Sequence, residues 1–475
     1  MLSLGTSVIN VKSIENKHKT MAVSKSPAEQ LVHPIQETDL IYQIEDRPPF
    51  REAVFVALQH LLAIFVAIIT PPLIISQALG FDHETASFLV SMSLLASGIS
   101  TFVQCRRFGP VGCGLLCVQG TSFSFIGAIT SVFAPMGLGV AALPAIFGVC
   151  IAGAPVEIIV SRLLKYTKKI ITPLVSGIVV TMIGLCLIKV AIVSCGGGFA
   201  AQSNNTFGSL QNLGLAALVL VVILLLNSVK NKYFRMSSII IGLIVGYVAS
   251  YFMDMVNFEG LQHMGAINIP IPFKYGLDFN LSAFIAVALI YFITSIEAYG
   301  DITANSMIGG EPIEGEKFMK RVQGGVLADG LNSIVAGIFN SLPNSIFAQN
   351  NGLIQLTGVA SRYIGYFIAV FLVILSAFPI IGGVFSLMPE PVLGGAALLM
   401  FGTVAASGVR IIASQKIDRK AILILAVSFA FGLGVELVPE ILSQFPEWIK
   451  GTFSSGITTG GVVAILSNVM IRIKE

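Results

Sequence analysis

Residues 343–358 read PNSIFAQNNGLIQLTG, and an earlier stretch, residues 112–125, reads GCGLLCVQGTSFSF. Both stretches lie among long apolar runs, yet both contain glycine together with clustered amides or hydroxyls. Backbone that is broken at membrane depth has to be buried in protein or line a cavity, because lipid offers it no hydrogen bonds. Two such interrupted segments at corresponding positions of two halves of a chain predict the binding site of a transporter.

The composition identifies the broad class of protein. The chain has 475 residues, of which 55% are hydrophobic and 11% charged, and its mean hydropathy is +0.87. A soluble domain has about a quarter of its residues charged, so this composition predicts a multi-span protein of the lipid bilayer. The formal net charge of +3 gives no indication of a nucleic-acid partner. The six cysteines lie in or beside apolar runs without metal-ligand spacing, so we expect no metal site.

Apolar runs of spanning or nearly spanning length predict fourteen transmembrane segments after a polar tail of residues 1–51. They are residues 53–69, 86–103, 111–129, 141–159, 173–193, 213–229, 238–256, 283–300, 324–339, 344–357, 364–384, 391–409, 421–435 and 456–471. An even number puts both termini on one side. If that side is the cytoplasm, nearly all of the 28 Lys and Arg residues lie there, as the positive-inside rule requires. Lys274 and Lys450 are then outside, and Lys189 lies within a span.

An internal repeat relates the fifth and twelfth spans. The fifth begins at Pro173 and continues to Met182 and Gly184, and the same residue types recur at the same offsets from Pro391. The two spans are seven apart, which implies two halves of seven, and an odd number of spans turns the second half upside down. This is an inverted-topology repeat, although chance is the alternative because glycine is common in membrane helices.

Ionisable residues inside spans are functional candidates by default, because burying a charge in the bilayer is costly. Glu297 lies deep in the eighth span, and the alternative is a structural carboxylate at a helix break. Asp301 is four residues further on the same face, where a functional and a structural role are equally open. Asp329, in the ninth span, either relays protons or holds helices together. His60 is the only histidine within a span, and a lone buried histidine is more often a packing residue than a ligand.

The tenth span has the densest group of amides, Gln349, Asn350 and Asn351. Amides both donate and accept hydrogen bonds, so they suit the N–H and C=O edge of a flat heterocycle. Phe123, next to Ser122 in the interrupted third span, has a ring that could stack on a planar ligand, although most such rings only pack. No grouping typical of an enzyme, a P-loop or a zinc site is present in the sequence, so we expect no catalytic site.

The sequence QNNGLIQLTG at residues 349–358 resembles the signature of the nucleobase–ascorbate transporter family (nucleobase:cation symporter-2), Gln/Glu-Asn-x-Gly-x4-Thr. The stretches SIEAYGD at residues 295–301, GVLADG at 325–330, QGTSFSF at 119–125 and the pair Gln59-His60 are also similar to that family. Gln349 and the following VASR at residues 359–362 resemble the bacterial xanthine and uric acid permeases most closely. Uracil permeases usually have Glu at the position of Gln349.

This resemblance implies an all-α polytopic fold of two inverted seven-span repeats, with short β-strands in the third and tenth spans. It implies a core domain of residues 52–160 and 282–386, and a gate domain of residues 161–281 and 387–475. The tail of residues 1–51 would lie in the cytoplasm, the protein in the bacterial inner membrane, and two copies would form a homodimer.

The resemblance also implies the roles of individual residues. Glu297 and Gln349 would hold the edge of a purine, and the backbone at Phe123 and Ala348 would add hydrogen bonds. The other implied site residues are Asn350 and Ser122 next to the substrate, and Asp329, Asp301 and His60, which would shape the site or assist proton coupling.

The implied activity is proton-coupled import of xanthine or uric acid by alternating access, with no cofactor besides the proton. The alternatives are uptake of uracil or another nucleobase, an anion exchanger of sulfate-permease architecture, and a channel. Glu297 argues against an anion site, since it would repel the ligand. Concentration of polarity at one depth argues against the continuous polar lining of a channel.

Overall fold

The computed structural model describes residues 40–167, 172–231, 234, 237–256, 267, 269–413, 415–446, 449–450 and 453–471. Residues 1–39 of the predicted tail are therefore outside the described part. The described chain is mostly helical, with one small sheet. In the first part of the chain the elements are α1 Phe50–Ala78, α2 His83–Arg106, β1 Gln119–Thr121, α3 Ser124–Phe133, α4 Leu143–Thr167, α5 Pro173–Cys195, α6 Gly198–Ser203, α7 Leu210–Ser228 and α8 Ser238–Phe252.

The second part of the chain has a similar succession of long helices, a short strand and short helices. These elements are α9 Leu281–Ile308, α10 Gly315–Ile338, β2 Asn344–Ile346, α11 Gln349–Thr357, α12 Arg362–Ser376, α13 Pro379–Ser386, α14 Glu390–Ala413, α15 Arg419–Leu437 and α16 Gly456–Met470. Polar side chains start several of them: Asn280 Oδ1, for example, accepts the backbone N–H of Ala283 at 2.9 Å, and Asp418 Oδ1 accepts that of Ala421 at 2.7 Å. Such caps satisfy N–H groups that the helix itself leaves free.

Eight described helices are long and apolar enough to cross a membrane, and a bent pair makes a ninth. The bent pair is α12 with α13, which meet at 83°. The break lies within the predicted eleventh span, residues 364–384, where we expected one continuous segment. Its cause is Pro379, which lacks the N–H that would continue α12 and which instead starts a new helix. The predicted count of fourteen spans remains a prediction.

The small sheet joins the two interrupted stretches of the sequence. β1 pairs antiparallel with β2, with Gln119 opposite Ile346 and Thr121 opposite Asn344. Short strands at these two places are what the family resemblance implied, and each strand leads directly into a short helix, α3 or α11. Gly120 is required at the centre of the pairing, because a Cβ atom there would collide with the ring of Phe347. The backbone that lipid cannot satisfy is therefore satisfied by a second piece of broken backbone.

Helices α5 and α14 pack closely and antiparallel. A Cβ atom at Gly184 would collide with the backbone of Ala405, and one at Gly408 would collide with Thr181. At one end of the contact, a Cβ atom at Gly177 would lie 2.7 Å from the side chain of Ile412. Small residues let two backbones approach in this way, which is how membrane helices gain packing energy without a hydrophobic driving force between them.

The segment of residues 41–47, called here the N-terminal strap, pairs with the loop that follows α11. The backbone N–H of Ile41 donates to the carbonyl of Gly358 at 2.7 Å, and the N–H of Ala360 donates to that of Tyr42 at 2.9 Å. Ile44 is 4% exposed, and a Cβ atom on Gly309, at the end of α9, would lie 2.6 Å from its side chain. The strap therefore joins the ends of α9 and α11.

Candidate functional site

A small cavity lies beside the two-stranded sheet. Its volume is about 20 Å³, which is room for about one water molecule. The residues around it come from two sets of elements. They are Phe123, Glu297, Ser345, Ile346, Phe347, Ala348 and Gln349 from the strand region and α9, and Val180, Ile183, Leu187 and Val404 from α5 and α14. The cavity therefore has one side with polar groups and one wall of aliphatic side chains.

Two helix starts border the cavity. Phe123 immediately precedes α3, and Ala348 immediately precedes α11. The first N–H groups of a helix have no partner within it, and the helix dipole makes this end partly positive. Some of these donors are already used, since the N–H groups of Asn350 and Asn351 donate to the carbonyls of Phe347 and Ala348. The positive ends of both helices, which have 10 and 9 residues, still lie beside the cavity.

Glu297 reaches the cavity from α9. Its side chain is half-buried, and Ser124 Oγ, at the start of α3, donates to its Oε2 at 3.3 Å. The carbonyl of the preceding residue, Ile296, accepts a hydrogen bond of 2.9 Å from Ser176 Oγ on α5. The carboxylate therefore lies where the strand region, α9 and α5 meet.

Gln349 is the first residue of α11 and borders the same cavity as Glu297. Among the described residues its side chain has no hydrogen-bond partner, so its amide is available for a ligand. The structure thus brings together the carboxylate and the carboxamide that sequence analysis singled out. What each of them does remains a prediction.

The aromatic and backbone positions from the sequence analysis lie at the same place. Phe123 borders the cavity, its ring stacks against Phe347 with centroids 6.3 Å apart, and Phe401 meets its edge at 5.2 Å. Ala348 also borders the cavity, and it follows β2 as Phe123 follows β1, at the other end of the antiparallel pair. Ser122 is buried, and its backbone N–H donates to the carbonyl of Pro343 at 2.8 Å, which closes the strand pair.

His60 and Asn350 lie behind the cavity and do not border it. His60 Nδ1 is 2.8 Å from Asn350 Oδ1, and Asn350 Nδ2 donates to the carbonyl of Leu116 at 2.6 Å. An amide oxygen only accepts, so the proton of the His60 ring is on Nδ1, as assigned from this bond. Both residues are buried, and together they hold α11 against α1 and the chain before β1.

Asp329 is also buried away from the cavity. Gln104 Nε2 donates to its Oδ1 at 2.6 Å, and Gln119 Nε2 donates to the same oxygen. Asn332 Nδ2 in turn donates to Gln119 Oε1 at 2.9 Å. Since Gln119 is the first residue of β1, this network fixes the strand on α2 and α10. The sequence analysis missed both glutamines, although each is an amide within or beside a long apolar run.

Asp301 lies one turn beyond Glu297 and is 2% exposed. Its backbone carbonyl accepts from Asn351 Nδ2 at 3.3 Å, while Asn305 Nδ2 donates to Asn351 Oδ1 at 3.0 Å. Its carboxylate oxygen Oδ2 has no partner among the described residues. Asp301 therefore faces the packing between α9 and α11 and does not border the cavity.

A fourth acidic residue, Glu157 on α4, was missed altogether. It is 1% exposed, and its Oε1 lies 3.2 Å from Thr294 Oγ1, one turn before Glu297. The signal was present in the sequence, because Glu157 falls inside the predicted fourth span, where any carboxylate is a candidate.

The fold and the cavity are those of a polytopic membrane transport protein, and comparison with known proteins identifies the kind. The family model described as "Permease family" (Xan_ur_permease) matches residues 51–441. The chain belongs to this permease family, nucleobase:cation symporter-2. It is therefore a multi-pass transporter and not an enzyme.

Relatives with assigned names cover nearly the whole chain. The chain is 48% identical over 459 residues to xanthine permease XanP of Escherichia coli (strain K12), covering 95% of this chain and 99% of the relative. It is 47% identical over 438 residues to xanthine permease XanQ of the same strain, covering 91% of this chain and 94% of the relative. It is 32% identical over 423 residues to uric acid permease PucJ of Bacillus subtilis (strain 168), covering 88% and 92%.

Two solved structures with a similar fold are described as a bicarbonate transporter and an anion transporter. The transmembrane domain of the cyanobacterial bicarbonate transporter BicA gives a TM-score of 0.52 at 16% identity, covering 86% of this chain and 100% of that one. Murine solute carrier 26 family member A9 in its inward-facing state gives a TM-score of 0.61 at 11% identity, covering 95% and 73%. At these identities the likeness shows the fold alone.

Proposed function

We propose that this protein is a proton-coupled symporter that imports a purine base, xanthine or uric acid, across the bacterial inner membrane. The observation that carries the proposal is that Glu297 and Gln349 border one cavity at the two helix starts, in a chain whose relatives are named xanthine and uric acid permeases. The proton is the only coupling ion we propose, and no cofactor takes part.

The purine would lie flat between the two sides of the cavity. Gln349 offers both a donor and an acceptor to its N–H and C=O edge, and Glu297 accepts from a second ring N–H. The backbone N–H groups beside Phe123 and Ala348 suit the purine oxygens, and the Phe123 ring suits its face. Ser122 and Asn350 would fix the backbone that makes these contacts, and His60, Asp301 and Asp329 would hold the surrounding helices.

Binding needs movement, because a cavity of about 20 Å³ cannot hold a base. We propose that a core domain, residues 52–160 and 282–386, moves against a gate domain, residues 161–281 and 387–475. The lining of the cavity supports this division. Its polar side, with Glu297 and Gln349, comes from the first set of residues, and its aliphatic wall, with Ile183 and Val404, comes from the second.

We also propose fourteen spans in two inverted repeats, with both termini in the cytoplasm, and a homodimer. The antiparallel pairing of β1 with β2 supports the repeat, as does the antiparallel contact of α5 with α14. These two helices are the fifth and twelfth predicted spans, whose sequences repeat. The distribution of Lys and Arg supports the orientation.

Glu297 is proposed as the coupling group. A carboxylate in this site has no cationic partner among the described residues, and a purine bound there would displace the water around it, so the ionised form of Glu297 would be most costly with the purine bound. Proton and substrate would then favour each other's binding, which is the requirement for symport. The anion exchanger is supported only by the fold of the solved structures, and Glu297 opposes it.

The proposal is tested by uptake of labelled xanthine into cells that lack their own purine uptake. We expect saturable uptake that a protonophore abolishes and that unlabelled xanthine or uric acid inhibits more strongly than uracil. Strong inhibition by uracil alone would indicate the uracil alternative. Uptake of bicarbonate without purine uptake would contradict the proposal and support an anion exchanger.

A further inference from the structure

Glu157 is a buried carboxylate to which the transport scheme above assigns no role. It lies on α4, which packs closely on α9 and α10. The hydroxyl of Tyr291 on α9 donates to the carbonyl of Cys150 at 2.8 Å, and a Cβ atom on Gly330 of α10 would lie 2.8 Å from the side chain of Ile158. With 1% exposure, the side chain of Glu157 is sealed between the three helices.

The hydrogen bonds around Glu157 fit a neutral carboxylic acid. Thr294 Oγ1 is 3.2 Å from Glu157 Oε1 and 3.1 Å from the carbonyl oxygen of Tyr291. A hydroxyl has one proton, so Thr294 can donate to only one of these two acceptors. If Glu157 is protonated, its O–H donates to Thr294, and Thr294 donates to Tyr291, so that both protons are used.

An ionised Glu157 would be poorly compensated. Its Oε2 has no hydrogen-bond partner among the described residues. The titratable groups that interact with it from the two facing helices are Tyr291 and Glu297 on α9 and Asp329 on α10, and none of them is basic. The next basic residue on its own helix, Arg162, is more than a turn away and exposed. A buried charge with no cation and only one hydrogen bond is far more costly than a neutral acid.

We propose that Glu157 is a second proton-binding site of this transporter, and that its hold on the proton depends on the charge of Glu297. Ionisation of Glu297 places a negative charge near Glu157 and opposes a second negative charge there. Neutralisation of Glu297 by a proton removes this opposition. The two carboxyl groups are neighbours because Thr294, which contacts Glu157, lies one turn before Glu297 on α9.

Infrared spectroscopy of the purified full chain in lipid bilayers, without substrate, tests this directly. A protonated carboxyl group has a C=O absorption that an ionised one lacks. We expect this absorption in the wild type at neutral pH, and we expect Glu157→Gln to lack the part that Glu157 contributes. The matched control is Glu316→Gln, an exposed residue paired with Lys320 on the surface, which should leave the absorption unchanged.

The linkage is tested by titrating the same absorption with and without Glu297. In the Glu297→Gln background, the absorption of Glu157 is obtained by subtracting the spectrum of the double variant Glu297→Gln, Glu157→Gln from that of Glu297→Gln alone. We expect it to disappear at a lower pH than in the wild type, because the opposing charge is gone. If the absorption of Glu157 disappeared at the same pH as in the wild type, the linkage to Glu297 would be wrong. If the wild type and Glu157→Gln had equal absorption at neutral pH, Glu157 would not bind a proton there.

If Glu157→Gln fails to fold, Thr294→Val provides the second measurement. Removing the hydroxyl deprives the acid of its hydrogen-bond partner, so its C=O absorption should move to higher frequency. An unchanged absorption would overturn the proposal. Because no substrate is present in these measurements, they stand or fall separately from the proposed purine transport.

Discussion

At the scale of the residue, Glu297 is the position where a change of one atom has the clearest expected effect. Replacing it by Gln keeps the shape but removes the exchangeable proton. We expect the Glu297→Gln variant to lose accumulation of xanthine against a gradient, with a fall of at least an order of magnitude in proton-driven uptake. Uptake of labelled xanthine with an imposed proton gradient measures this.

Glu316→Gln is the control for this variant, because Glu316 is exposed and forms only a surface pair with Lys320. Its uptake should equal that of the wild type. If Glu297→Gln still accumulated substrate in full, the coupling role of Glu297 would be wrong.

Which site residues could be predicted from the sequence depended on how unusual they are in a membrane span. Glu297 and Gln349 are a charge and an amide in apolar runs, and both border one cavity, while their roles stay predictions. Asp329 is equally unusual, yet it lies in a network that anchors β1. Only contacts between distant residues, such as Gln119 with Asp329, distinguish these two situations, and a single sequence does not contain them.

At the scale of the element, the contact of α5 with α14 depends on Gly184. A methyl group there would collide with the backbone of Ala405, which cannot move aside as a flexible side chain can. We expect Gly184→Ala to lower the free energy of unfolding by about 1–3 kcal/mol, the usual cost of overpacking. Thermal unfolding of the purified protein measures the change.

The chain offers a matched control for this change at the repeat-related position. A methyl group on Gly402 would have no neighbouring atom of the described residues within 4 Å, so Gly402→Ala should be tolerated. Equal effects of the two substitutions would show that the α5–α14 contact is not the cause.

The turn between α9 and α10 is stabilised by ion pairs that depend on pH. Glu311 Oε2 is 2.8 Å from Lys317 Nζ and 3.1 Å from an Arg321 guanidinium nitrogen. Partial burial raises the pKa of Glu311, but hydrogen bonds and charges from Lys317 and Arg321 outweigh this, so the pKa lies below its usual value. Such a group stabilises the fold above its unfolded pKa of about 4.3, and the contribution is lost as pH falls through the folded pKa.

We therefore expect Glu311→Gln to lower the melting temperature at pH 7, and we expect the difference from the wild type to shrink on acidification below about pH 4. Thermal unfolding across a pH series measures it. Glu314→Gln is the control, because this neighbouring exposed glutamate has no ion pair among the described residues. A difference that stayed constant with pH would contradict an electrostatic origin.

The elements themselves were predicted unevenly. The breaks at residues 112–125 and 343–358 were predicted because glycine and polar residues interrupt apolar runs, and the strands occur there. The 83° bend between α12 and α13 was not, since a lone Pro379 in an apolar run also occurs in helices that continue. The polar start of α10, at Gly315, was also placed nine residues too late, because hydropathy detects only its apolar part.

At the scale of the whole molecule, the N-terminal strap connects the start of the described chain to helices far along the sequence. Ile44 is the residue that buries it, at 4% exposure against Gly309. We expect Ile44→Ala to lower the free energy of unfolding by roughly 2–5 kcal/mol, as for other large-to-small changes in packed sites. The melting temperature of the purified protein measures this.

Ile41, in the same strap, is 69% exposed and provides the control. Ile41→Ala should change stability by less than about 0.5 kcal/mol. If both variants had the same melting temperature as the wild type, the packing of the strap would not contribute to stability.

Membrane class was evident from composition alone, because a chain with 11% charged residues cannot cover its surface for water. The way the segments pack against one another was not evident, since it depends on the pairing of residues 119–121 with residues 344–346, more than two hundred positions apart. Hydropathy finds each segment, but it does not show which segments meet.

The narrowness of the central cavity has a consequence for the cell. A space for about one water molecule, bordered on one side by Val180, Ile183, Leu187 and Val404, leaves no room at this point for a continuous file of water. Protons pass along such files, so the cavity in this narrow form offers them no continuous path. A membrane can thus hold many idle copies of this transporter without losing its ion gradients through this cavity.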